Sequence, residues 1–79
     1  MRLRWQEVTS RTWEGLDNDG AVRASVIRGD FPPAWVAYVR PGGGRPIERV
    51  AGDWPTRRGA SAAAETALDD QPPLPGAMR

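Results

Sequence analysis

The chain has 79 residues, with eleven arginines against ten carboxylates and no lysine, histidine or cysteine, for a formal net charge of +1. That length holds one small domain with a modest core. The missing residue types remove disulfides, thiolate zinc sites, thiol nucleophiles and the commonest general base.

No apolar run approaches the roughly 18 residues that a membrane span needs. Met1-Arg2-Leu3-Arg4 is charged and no apolar stretch follows it, so no secretory signal is expected and the reading places the chain in the cytoplasm. Near-balanced charge gives no ground of its own for nucleic-acid binding. The charge is uneven along the chain, however: residues 1–58 carry ten arginines against seven acids. An all-arginine basic set fits a G+C-rich genome. It also fits phosphate or carboxylate ligands, which guanidinium forks suit better than lysine point charges do.

Leu3, Trp5 and Glu7 alternate with Arg4, Gln6 and Val8, the period of a strand. The polar stretch Thr9-Ser10-Arg11-Thr12 reads as a bulge or a bend, and Trp13 resumes the apolar signal, so residues 1–16 form one interrupted strand or two short ones. "DNDG" at 17–20 is turn chemistry. It lacks the further alternating ligands and the distal glutamate of a calcium loop. Residues 21–28 follow as a strand, with Val22, Ala24 and Val26 facing one way and Arg23, Ser25 and Ile27 the other. "GDFPP" at 29–33 breaks pairing, because proline donates no hydrogen bond.

"AWVAYVR", 34–40, is the clearest strand, with Trp35, Ala37 and Val39 opposed to Val36, Tyr38 and Arg40. "PGGGRP" at 41–46 is a loop without the Lys-Ser/Thr of a phosphate-binding loop. "IERVAG", 47–52, is a short strand.

A helix follows. Thr56 is a good N-cap, and Ala60, Ala63, Ala64, Ala67 and Leu68 form a complete apolar stripe. A stripe of alanines lets a helix lie close to a sheet, and the four tryptophans are the expected large partners. The charges of this helix run backwards. Arg57 and Arg58 stand at its start and Asp69 and Asp70 at its end, whereas the macrodipole favours the opposite order by about 0.3–1 kcal/mol per exposed charge. Either that small penalty is tolerated, or the open N–H groups and two guanidiniums form an anion-attracting spot.

The predicted architecture is α+β: residues 1–70 form an antiparallel sheet of three to four strands with one C-terminal helix on one face. Residues 71–79 form a flexible tail. Trp5, Trp13, Trp35, Tyr38, Trp54 and Phe31 supply either the core or a base-stacking platform. Trp35 is expected inside, and Tyr38 on the outer face beside Arg23, Arg40 and Glu48. If that outer face carries exposed tryptophan, a homodimer is expected.

The order of tryptophan, turn, strand, "AWVAYV", glycine-rich loop, short strand and "WPTRRGASAAAETAL" resembles a group of small phage and prophage proteins. Over roughly residues 12–69 it is similar to the β-β-β-α layout of AP2-like and arm-type DNA-binding domains of phage integrases. Trp54, Thr56, Ala60 and Ala63 or Ala64 match the aromatic, threonine and alanines that open the helix there. In that group the sheet enters the DNA groove, and the resemblance implies Arg23, Arg28, Tyr38, Arg40 and Arg49 as the sheet-face readers.

The chain is also similar, in size and style, to small anti-CRISPR inhibitors. The combined expectation is a non-enzymatic binding protein without cofactor or metal. It docks through Arg23, Arg28, Tyr38, Arg40, Arg49, Arg57 and Arg58 on a host protein or nucleoprotein complex and blocks its nucleic-acid site. The alternative is a small regulator or recombination accessory that binds DNA directly through the sheet.

Overall fold

The computed structural model describes residues 1–42 and 44–70; the expected tail at 71–79 lies outside the described residues. Five strands, β1 (Arg4–Thr9), β2 (Thr12–Leu16), β3 (Val22–Arg28), β4 (Trp35–Val39) and β5 (Glu48–Arg49), precede one helix, α1 (Arg57–Asp69). The strands form a single antiparallel sheet in chain order, β1-β2-β3-β4-β5. The fold class is the α+β architecture expected, with five strands where three to four were predicted. The extra strand arises because Ser10 and Arg11 make a tight turn, closed by the Arg11 N–H donating to Thr9 Oγ1 at 3.1 Å. The polar stretch is thus the corner of a hairpin, and residues 1–16 are two strands.

The helix starts where its cap predicts. Thr56 is extended, at φ −127° and ψ 153°, and its hydroxyl accepts from the Gly59 N–H at 3.1 Å. α1 lies across β3 and β4. Ala60 and Ala64 face Ala24, Val26, Ala37 and Val39, and all six are buried. Alanine meets alanine here, so the backbones approach closely and no indole fits beneath the helix. Trp5, Trp13, Trp35 and Trp54 instead pack around the margin of that core, each half-buried. The tryptophans ring the helix seat; they do not floor it. Phe31 belongs to neither arrangement, since it is 99% exposed in the β3–β4 loop.

Two long-range stitches tie the start of the chain to the helix. Glu65 Oε2 accepts from the Leu3 N–H at 2.9 Å and from the Trp5 indole N–H at 3.0 Å, tying the start of β1 to the middle of α1. The Met1 amino group donates to the Glu65 carbonyl at 3.2 Å and pairs with the Asp69 carboxylate. Trp5 reaches this position across Gly15, its partner on β2. A Cβ at Gly15 would sit 2.8 Å from Leu3 Cδ1 and 3.0 Å from the Trp5 ring. The glycine makes room for the indole.

The turn at 17–20 is built on Asp17. Its Oδ1 accepts from the N–H groups of Ala21 at 3.0 Å and Asp19 at 2.9 Å, and Gly20 supplies φ 82°. The Ala21 hydrogen bond, with help from Asp19 and the nearby Arg23, holds the Asp17 carboxyl below its usual range. A folded-state pKa below the unfolded value, about 3.9, means the unfolded chain binds the extra proton. The stabilisation is therefore present above that unfolded value and is lost as pH falls through the folded one. Asp17→Asn keeps an acceptor oxygen but cannot titrate. Its urea midpoint is expected to fall less steeply than the wild type's in acid. Identical slopes would show that Asp17 contributes nothing to acid sensitivity.

Candidate binding surfaces

Strand alternation divides the expected contact residues between the two sides of the sheet. The face opposite α1 carries Arg23, Ser25 and Ile27 of β3, Tyr38 of β4 and the adjoining Arg40. Arg49 joins them because it lies opposite Tyr38 in the β4–β5 register. Ser25, Ile27, Tyr38, Arg40 and Ile47 line a shallow hollow of about 250 Å³ on this face. Ile27 and Ile47 are exposed beside it and Tyr38 is half-buried. Among the described residues no helix covers this side.

The seven predicted residues do not form one surface. Arg28 lies opposite Trp35, whose alternation with Ala37 and Val39 puts it on the helix side, so Arg28 does not join Tyr38. Counting from Val26 by twos reaches the same place. Glu48 lies opposite Val39 and is likewise on the helix side; it is Arg49 that sits beside Tyr38.

Arg23 is on the open face but is engaged. Its Nε donates to the Arg40 carbonyl at 3.1 Å, its Nη2 donates to the Pro41 carbonyl at 3.3 Å, and its Nη1 lies 3.7 Å from Asp17. It clamps the end of β4, and its guanidinium is committed within the chain. Arg40 and Arg49 form no ion pair among the described residues. Tyr38, Arg40 and Arg49 are therefore the members of the predicted set that share an open surface with their side chains uncommitted. The condition for a homodimer, a tryptophan on this face, is not met, since all four pack around the core on the other side.

Arg57 and Arg58 stand at the helix start. The Arg57 guanidinium lies 4.0 Å above the Trp13 ring, a cation–π contact that offsets its unfavourable place on the dipole. At the other end Asp69 pairs with the Met1 amino group. Two of the four misplaced charges thus have tertiary partners. The other charge at the start, Arg58, is exposed and has no ion pair among the described residues.

Arg11 and Asp30 form a further ion pair, with Nη1 to Oδ2 at 2.6 Å. It braces the β3–β4 loop against the β1–β2 turn, where the Arg28 N–H also donates to the Arg11 carbonyl at 2.8 Å. Its hydrogen bond, with the Arg11 charge, holds the Asp30 carboxyl below its usual range. No helix among the described residues is long and apolar enough to cross a membrane. No protein-family model, no curated protein and no solved structure matches this chain.

Proposed function

We propose that the chain is a non-enzymatic binding protein of phage or prophage type, an inhibitor in the anti-CRISPR manner. It seats its open sheet face on a host nucleoprotein complex in the cytoplasm and blocks the nucleic-acid site. The observation that carries this reading is the hollow around Tyr38: an apolar centre of Ile27, Tyr38 and Ile47 bordered by the uncommitted Arg40 and Arg49. Protein interfaces concentrate their energy in such centres, where a desolvated tyrosine or arginine anchors the contact. The absence of histidine and cysteine from the sequence leaves carboxylates as the main candidates for acid–base chemistry, which favours surface occupation over catalysis.

Direct DNA binding is the second reading, favoured by arginine beside tyrosine on an open antiparallel sheet. Duplex affinity would then fall with salt by a log–log slope of roughly −0.9 per phosphate contact. The two readings separate in one pair of measurements. The inhibitor reading expects no submicromolar duplex retardation in gels at any salt. It also expects suppression of target binding by an RNA-guided host effector, weakened tenfold or more in Tyr38→Ala and in Arg40→Glu. Tight, salt-steep duplex binding that those variants abolish, with no effect on an effector, would replace it with the DNA reading.

A further inference from the structure

On the opposite side of the sheet a cleft of about 470 Å³ opens between the first turns of α1 and the β1–β2 hairpin. Three guanidiniums line it, from Arg2, Arg57 and Arg58, and none forms an ion pair among the described residues. Arg57 is held in place by its stack on Trp13. The single carboxylate in the lining, Glu65, is already accepting from the Leu3 N–H and the Trp5 indole. The cleft therefore has a positive excess of two charges beside a helix N-terminus whose first turn holds no acid.

Ser61 supplies an independent observation. It lies in the lining, only 6% exposed, and its hydroxyl has no hydrogen-bond partner. A buried hydroxyl without a partner costs stability, and an alanine at that place on the stripe would avoid the cost.

We propose that this cleft binds a phosphate monoester carried on a small organic body, of which a nucleoside monophosphate is the type. A phosphate monoester carries a charge of about −1.5 to −2 near neutral pH and three acceptor oxygens, matching the charge excess and offering Ser61 its missing partner. Guanidinium forks engage such oxygens two at a time, and a fork preset on an indole loses less freedom in doing so. The cleft falls within the roughly 300–1,000 Å³ of small-molecule sites, more than a bare anion occupies. Leu3 and Trp5 give the organic body an apolar wall. Because the cleft and the Tyr38 hollow lie on opposite sides of the sheet, this site stands or falls independently of the docking reading.

The test is an amide and indole NMR titration of the ¹⁵N-labelled chain with adenosine monophosphate, adenosine and inorganic phosphate. The expected result is saturable shifts at Arg58, Ser61 and the Trp5 indole with the monophosphate, tenfold or more weaker binding of inorganic phosphate, and none of adenosine. Arg58→Glu is expected to weaken the monophosphate tenfold or more, whereas Asn18→Glu, a negative charge added at the distant turn, keeps the wild-type affinity. Ser61→Ala separates function from folding: it is expected to hold or raise the urea midpoint while weakening binding several-fold. Absence of saturation, equal affinity for inorganic phosphate (an adventitious ion only), or wild-type affinity in Ser61→Ala or Arg58→Glu would overturn the proposal.

Discussion

Ala64→Leu is expected to cost about 3 kcal/mol or more, the upper end of what overpacking a close-packed core does. Ala64 is fully buried where α1 meets β3 and β4, against alanines and valines that leave no slack. A leucine there must either lift the helix or push β3 and β4 apart. A domain of this length holds only about 4–12 kcal/mol in total, so the loss is a large share of its stability. The comparison is Ala62→Leu on the exposed side of the same helix, expected within about 0.5 kcal/mol of wild type. Urea unfolding of both variants measures the difference. Equal midpoints would mean that the helix is not seated on the sheet through its alanine stripe.

Glu65→Ala is expected to cost about 2 kcal/mol, because it leaves the Leu3 amide and the Trp5 indole without their acceptor in a partly buried setting. Glu65→Gln retains an acceptor oxygen and is expected to recover more than half of that loss. The diagnostic readout is local. Hydrogen exchange at the Leu3 amide and the Trp5 indole should accelerate in Glu65→Ala while the amides of β3 and β4 change only with global stability. Uniform acceleration everywhere would mean that Glu65 supports the fold as a whole without specifically holding β1.

Much of this fold is legible from local chemistry. Thr56 as a cap, the alanine stripe, the "DNDG" corner and the alternation of residues 35–39 each carry their own signal, and each needs no distant partner to act. The Ser10–Arg11 corner is different: it uses no glycine and no positive φ, so its polar residues mark a break without deciding between one interrupted strand and two. The tryptophans were expected beneath the helix because area burial favours large residues. Close contact of alanines decided otherwise, since a helix that near the sheet excludes an indole. Of the candidate site, the pairing of Tyr38 with Arg40 follows from strand parity, and the same parity removes Arg28. The engagement of Arg23 depends on where the β4–β5 loop turns, which no spacing encodes. Arg2 and Glu65 meet across nearly the whole chain, beyond the reach of any local pattern. Arg57 and Arg58 were visible as misplaced charges at the helix start, and Ser61 as a polar residue beside the buried alanines at 60 and 64.

The order of strands across the sheet repeats their order along the chain. Each strand therefore finds its partner in the segment it has just left, and loop closure costs little at every step. Such wiring belongs to quick folders, with hairpin formation rather than a search across the molecule setting the pace. The exceptions tie the first residues to the helix: the bonds of Glu65 reach back 62 residues to Leu3 and 60 to Trp5, and Asp69 pairs with Met1. The start of β1 is then the last part to be secured during refolding and the first to fray.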